Sequence, residues 1–115
     1  MPNLTMEYTS SVEDRVNIQL LLEQLHQSVI EFGIFEPDSV KSRAIRCHQW
    51  LLGEYEDGED FIHVTFELLS GRSDESKSEL SQIPANIIQS QAATTKSISV
   101  NIRDMDRRCF QKIVN

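Results

Sequence analysis

Apolar residues in this chain recur first at period two, then at helical spacing, then at period two again, and the cycle runs twice within 115 residues. A period-two run gives a strand one apolar face, and helical spacing gives a helix one apolar stripe. Each cycle therefore predicts a β-α-β unit. The first opens with the extended segment Pro2-Asn3-Leu4-Thr5-Met6-Glu7-Tyr8, ending near Ser10. Ser10-Ser11-Val12-Glu13 has the form of a capping box, which predicts a helix starting there. Its stripe is Ile18, Leu21, Leu22, Leu25, Val29 and Phe32, and Gly33 is placed to end it through a left-handed cap. After the turn Glu36-Pro37-Asp38-Ser39, an extended segment from Val40 to about Leu52 puts Lys41 and Arg43 on one face. Val40, Ser42 and Ala44 take the other.

The second cycle follows the acidic stretch Gly53 to Asp60. From Phe61 to Leu69, Ile62, Val64, Phe66 and Leu68 alternate with His63, Thr65 and Glu67. Ser73 is a natural N-cap, and Asp74 and Glu75 suit the positive end of the helix that begins there. Leu80, Ile83, Ile87 and Ala92 form its expected buried side, and Pro84 predicts a kink or break. Ser97 to Arg103 closes the unit, with Ile98, Val100 and Ile102 alternating against Ser99, Asn101 and Arg103. Residues 1–115 are thus expected to form one domain of two β-α-β halves, about 2–52 and 60–103. The architecture is a two-layer α/β (α+β) sandwich with parallel pairing inside each crossover. Helices cover one sheet face. The other, carrying Lys41, Arg43, His63, Thr65 and Glu67, must be wet or meet other subunits, and a closed symmetric assembly satisfies it.

Eleven Lys and Arg against eighteen Asp and Glu give a formal charge of −7. That balance disfavours nucleic acid and anionic membranes as partners. The sequence contains neither a long apolar run nor a secretory signal, so a cytoplasmic location is expected. Cys47 and Cys109 have no metal-ligand spacing and read as reduced structural thiols. On so acidic a chain, local cation clusters are informative, and they fall at Lys41 to Arg46 and at Arg72.

Pro2 carries the chemistry of greatest interest. Removal of Met1 would leave a secondary amine at a strand tip. An α-amino group titrates near pH 8, and burial or neighbouring cations push it lower by disfavouring the ammonium form. Such an amine is a base at neutral pH, and its ring fixes the lone pair relative to the strand.

The opening Met-Pro-x-Leu-x-x-Glu-Tyr, the Gly33-Ile34-Phe35 turn, the strands Val40-Lys41-Ser42-Arg43 and Phe61-Ile62-His63-Val64-Thr65, Gly71-Arg72-Ser73, and the tail from Arg103-Asp104-Met105-Asp106 to Lys112 resemble the 5-carboxymethyl-2-hydroxymuconate isomerases. The resemblance spans essentially the whole chain. It implies the tautomerase superfamily, with trimers built from β-α-β repeats and an amino-terminal proline acting as base. The implied reaction moves a proton within a carboxylated dienol during aromatic-compound breakdown, without metal or organic cofactor.

The same resemblance maps Arg72 onto an arginine that stabilises developing charge, and Arg43 onto a strand arginine that either binds substrate or pairs with Glu67 or Glu7. Lys41 stands where the best-known family members carry an arginine, which puts substrate identity in question, because an ammonium lacks the bidentate fork. The small anionic partner is therefore a carboxylate of unsettled identity. His63 reads as a hydrogen-bonded strand residue rather than a general acid, and Trp50, Phe35 and Phe61 as core aromatics that can also wall a pocket. Two other readings stand beside the isomerase: another tautomerase activity on an α-keto or unsaturated acid, and a non-enzymatic trimeric interaction protein.

Overall fold

Strand and helix alternate through two cycles in the computed structural model, which describes residues 2–54 and 59–115. The elements are β1 (Pro2–Thr9), α1 (Ile18–Glu31), β2 (Lys41–Cys47), β3 (Phe61–Leu69), α2 (Asp74–Gln91) and β4 (Ser97–Met105), with short 3-10 turns at Ser10–Asp14, Pro37–Ser39 and Arg107–Cys109. They form one four-stranded sheet in the order β2-β1-β3-β4. β1 and β2 are parallel, β3 and β4 are parallel, and β1 and β3 join the halves antiparallel. This is the expected β-α-β arrangement, with both helices on one face. Residues 55–58 of the acidic stretch lie outside the described residues.

Alternation decides which face is buried. Leu4, Met6 and Tyr8 of β1 and Ile62, Val64, Phe66 and Leu68 of β3 pack beneath Leu21, Leu25 and Val29 of α1 and Leu80 and Ile88 of α2. Each such side chain contributes roughly 1.5–3 kcal/mol through burial. The opposite face carries Asn3, Thr5 and Glu7 between Lys41, Arg43 and Ile45 on one side and Glu67, Thr65 and His63 on the other.

Three local expectations are corrected. The box at Ser10–Glu13 starts a 3-10 turn rather than α1, which begins at Ile18 behind Asn17, whose side chain accepts from Leu20 N at 3.1 Å. Glu13 is engaged elsewhere: it accepts from Tyr8 Oη at 2.6 Å and Arg46 Nε at 2.8 Å. β2 ends at Cys47 rather than near Leu52, because it is an edge strand and β1, its one neighbour among the described residues, ends at the partner residue Thr9. Pro84 neither ends α2 nor lies off its packed side. The helix runs through it to Gln91, and the ring is buried with Leu80 and Ile88. The buried stripe thus follows four-residue spacing from Leu80, leaving Ile83 half-buried and Ile87 at its margin.

The end of the sheet where β1 leaves and β3 and β4 enter is tied by ion pairs. Asp60, 2% exposed, accepts from Arg15 Nη2 at 2.8 Å, Ser11 Oγ at 3.2 Å and the Lys96 backbone N–H at 3.3 Å. Beside it, the Arg46 guanidinium and then the Tyr8 hydroxyl hold the Glu13 carboxyl down to about 2. Burial, followed by the bond to Glu13, raises the Tyr8 phenol.

Candidate active site at the tip of the first strand

The opposite end of the sheet is assembled from the starts of β1 and β2 and the ends of β3 and β4. Pro2, the first residue of β1, is buried and faces Leu68 across the β1–β3 ladder. One residue on, Asn3 pairs with Lys41 on one side and Glu67 on the other. Beyond β3 the chain turns at Gly71, whose φ of +116° is a conformation side-chain-bearing residues rarely adopt. Arg107 braces this turn: its Nε donates to Ser70 O at 2.8 Å, while Ser70 N donates to Met105 O at 2.9 Å.

The turn delivers Arg72 to the loop after α1. Its guanidinium carbon lies 4.9 Å from the centroid of the Phe35 ring, and Nη2 makes a long 3.5 Å bond to Ile34 O. Phe35 packs on buried Phe66 with ring centroids 6.0 Å apart. A guanidinium stacked on an aromatic face keeps much of its donor fork free, and the stacking is worth about 0.5–1 kcal/mol at exposed sites. Ser73 caps α2 as expected, accepting from Ser76 N at 3.1 Å.

The cations divide by partner, and the Pro2 end holds both kinds: Lys77 meets Asp104, which pairs in register with Leu68 beside Pro2, and Arg108 meets Asp106 just beyond β4. Arg15, Arg46, Lys77 and Arg108 each have a carboxylate partner. Among the described residues, Lys41, Arg43, Arg72, Arg103, Arg107 and Lys112 make no ion pair. These six belong to the half of the sheet toward Pro2 or to segments leaving that end. Arg46, grouped with Lys41 in sequence, belongs instead to the opposite end. Arg43 pairs in register with Thr5, and the ion pair with Glu7 or Glu67 allowed for it does not form.

Faces divide the predicted residues further. Pro2, Leu4 and Leu68 lie on the helix-covered side, and Arg72 joins that side through Phe35 and Phe66. Lys41 and Arg43 share the open face with Asn3 and Thr5. One subunit therefore brings Arg72 to Pro2's side of the sheet and leaves Lys41 and Arg43 on the other. His63 is a strand histidine bonded through Nδ1 to Ser99 Oγ at 2.6 Å. Trp50 Nε1 donates to Glu59 O at 2.9 Å, and Phe61 pairs with Ser97, both remote from Pro2. Phe35 alone of the three aromatics reaches the site. Arg107 was not anticipated; the available signal was Asp106, which accepts from Arg108 N at 2.9 Å and starts the turn that positions it. Among the described residues, no three His, Cys, Asp or Glu side chains form a metal-ligand set.

Comparison with known proteins places this geometry. The family profile for 5-carboxymethyl-2-hydroxymuconate isomerase matches residues 2–112. A 5-carboxymethyl-2-hydroxymuconate isomerase from Deinococcus radiodurans R1 superposes with a TM-score of 0.90 at 25% identity, covering 99% of this chain and 90% of that one. A 5-carboxymethyl-2-hydroxymuconate delta-isomerase (TM-score 0.80, 10% identity, 100% and 89% covered) shares the fold. So does a fused 4-OT protein described as a symmetric trimer (TM-score 0.71, 18% identity, 91% and 86% covered). No curated protein sequence matches significantly. The chain belongs to the 5-carboxymethyl-2-hydroxymuconate isomerase family, with the fold of the tautomerase superfamily.

Proposed function

We propose that the protein is a cofactor-independent isomerase of carboxylated dienols, of the 5-carboxymethyl-2-hydroxymuconate delta-isomerase type, with Pro2 as general base once Met1 is removed. The observation that carries the reading is the gathering of unpaired cations around the strand tip that begins with Pro2, on a chain whose net charge is −7. Cations there favour the neutral amine and attract the anionic substrate. The amine takes the proton from the 2-hydroxyl of the dienol and returns one at the distal carbon, so electrons move from oxygen through the diene and the ketone forms. One group near its own pKa serves both steps. Arg72 stabilises charge on the developing oxyanion, and Lys41 and Arg43 hold carboxylates.

The division of these residues between two faces supports a homotrimer. If the open face turns inward and edges β2 and β4 are covered by neighbours, Lys41 and Arg43 of one subunit approach Pro2 and Arg72 of another. The fused 4-OT protein with a similar fold is described as a symmetric trimer, which favours the same closure. Light scattering should return a mass three times that of the chain; an active monodisperse monomer would contradict it. Among the described residues no helix is long and apolar enough to cross a membrane. A role in cytoplasmic breakdown of aromatic compounds fits the reaction.

The decisive experiment is isomerisation of a carboxylated dienol by the wild type and Pro2→Ala, with intact mass establishing that Met1 is absent. Retained Met1 would make the Pro2 nitrogen an amide and favour the non-enzymatic trimer. The specific observation favouring a different tautomerase substrate is Lys41, exposed and without a guanidinium fork. Comparing the dienol with the enol of an α-keto acid separates the two.

A further inference from the structure

The carboxyl-terminal segment lies where its sequence neighbours do not. β4 occupies one edge of the sheet and β2 the other. Yet Phe110, Gln111, Lys112, Ile113 and Val114 line a cavity of about 340 Å³ together with Asp38 and Lys41, at the start of β2. After the turn Arg107–Cys109, the tail has therefore crossed the Pro2 end of the sheet from the β4 edge to the β2 edge. Arg107 anchors the departure through its bond to Ser70 O.

The cavity's chemistry is specific. Lys41 and Lys112 supply two ammonium groups, neither in an ion pair among the described residues, against the single carboxylate of Asp38. Ile113 and Val114 are 86% and 78% exposed, although they form part of its wall. Apolar side chains left that exposed gain by burial against a ligand skeleton, while the ammonium groups gain by meeting its charge. A ligand combining a short hydrocarbon chain with more than one carboxylate answers both requirements, and a monocarboxylate answers only part.

We propose that the crossing tail builds a second carboxylate subsite, in which Lys112 acts with Lys41 to select substrates bearing several carboxylates over those bearing one. The inference deepens the carboxylated-dienol reading and rests on it for the identity of the ligand class. Lys112 restores some of the charge specificity that Lys41 lacks: two point charges separated in space distinguish a polycarboxylate where one ammonium does not. Asp38 opposes binding and sets an upper limit on affinity.

Calorimetry with propane-1,2,3-tricarboxylate, which is saturated and cannot tautomerise, tests the subsite without turnover; propionate is the control. The wild type is expected to prefer the tricarboxylate. Lys112→Ala is expected to weaken it about three- to fivefold with propionate unchanged, and Lys112→Arg to preserve it. Asp38→Asn should tighten it several-fold. Equal tricarboxylate affinity in the wild type and Lys112→Ala, or no binding by the wild type, overturns the proposal. Loss of dienol turnover with this binding pattern intact would instead count against the isomerase reading alone. These side chains are on the surface, so the variants should unfold at wild-type temperature, and circular dichroism checks that.

Discussion

The two ends of the sheet differ in how much of their positive charge is paired. At the end where β1 exits, Asp60, Arg15, Glu13, Arg46 and Tyr8 satisfy one another, and the carboxylates have well-placed donors. At the Pro2 end, Lys77 pairs with Asp104 and Arg108 with Asp106, but Arg72 rests on an aromatic ring, and Lys41, Arg43 and Lys112 have no carboxylate partner among the described residues. Paired charge stabilises the fold and is unavailable to a ligand. An unpaired cation is available to an anion. The same sheet thus has one end where the named charges are paired and one where several cations stay available to a ligand, and substitutions at each should move different observables.

The largest effect is expected at Pro2. Replacing it by alanine keeps an amine but loses the ring's fixed geometry, and turnover should fall on the order of a hundredfold or more, within the range general bases supply. Stopped-flow or steady-state assays at saturating dienol read this directly; unchanged turnover would remove the distinction between the ends. Arg72→Ala comes next. Removing a charge-stabilising donor costs about 3–4 kcal/mol in the barrier, on the order of a hundredfold in turnover, with little change in melting temperature. At the other end, Asp60→Ala should do the reverse. It removes the carboxylate that accepts from the Lys96 N–H, the Ser11 hydroxyl and Arg15, although Arg15, 35% exposed at its side chain, is partly rehydrated. A stability loss of about 2–3 kcal/mol in urea titration, with turnover per folded molecule unchanged, is the expected result.

Smaller effects sharpen the contrast. Glu13 has a lowered folded-state pKa, so the unfolded chain binds its proton first as pH falls, and the contribution to stability is present above the ordinary value of 4.5. It should decline as pH drops through about 2. Glu13→Gln should therefore be less stable than the wild type near neutrality, with the difference shrinking across that window in acid unfolding curves. Smallest is Lys41→Arg, which adds a fork without changing charge. A shift of a few-fold in KM toward polycarboxylate substrates, with turnover constant, is expected, and no shift would detach Lys41 from the anion site.

Much of this organisation was legible in period alone. The alternation Ile62, Val64, Phe66, Leu68 gave the buried face of β3 residue by residue, and Leu21, Leu25 and Val29 gave that of α1. What failed was local grammar overruled at long range. Glu13 cannot close a capping box while it bonds Tyr8 and Arg46, which is 33 residues away in sequence. Pro84 reads as a breaker because its missing N–H is a local property, whereas its buried ring is a tertiary one. The site divided likewise. Pro2, Lys41, Arg43 and Arg72 were named from motif and resemblance, but their separation onto two faces follows from register. That Lys112 and Lys41 line one cavity depends on a tail crossing that no periodicity encodes.

Whether the amine of Pro2 is the base at the cation-rich end is read directly by nitrogen-15 NMR of protein labelled at proline. One amine resonance assigned to Pro2 is expected, titrating below the ordinary α-amino value of about 8, with a midpoint that follows the pH dependence of kcat/KM and rises in Arg72→Ala. A fully active enzyme whose Pro2 nitrogen is an amide that does not titrate, or whose midpoint is unrelated to activity, would contradict it.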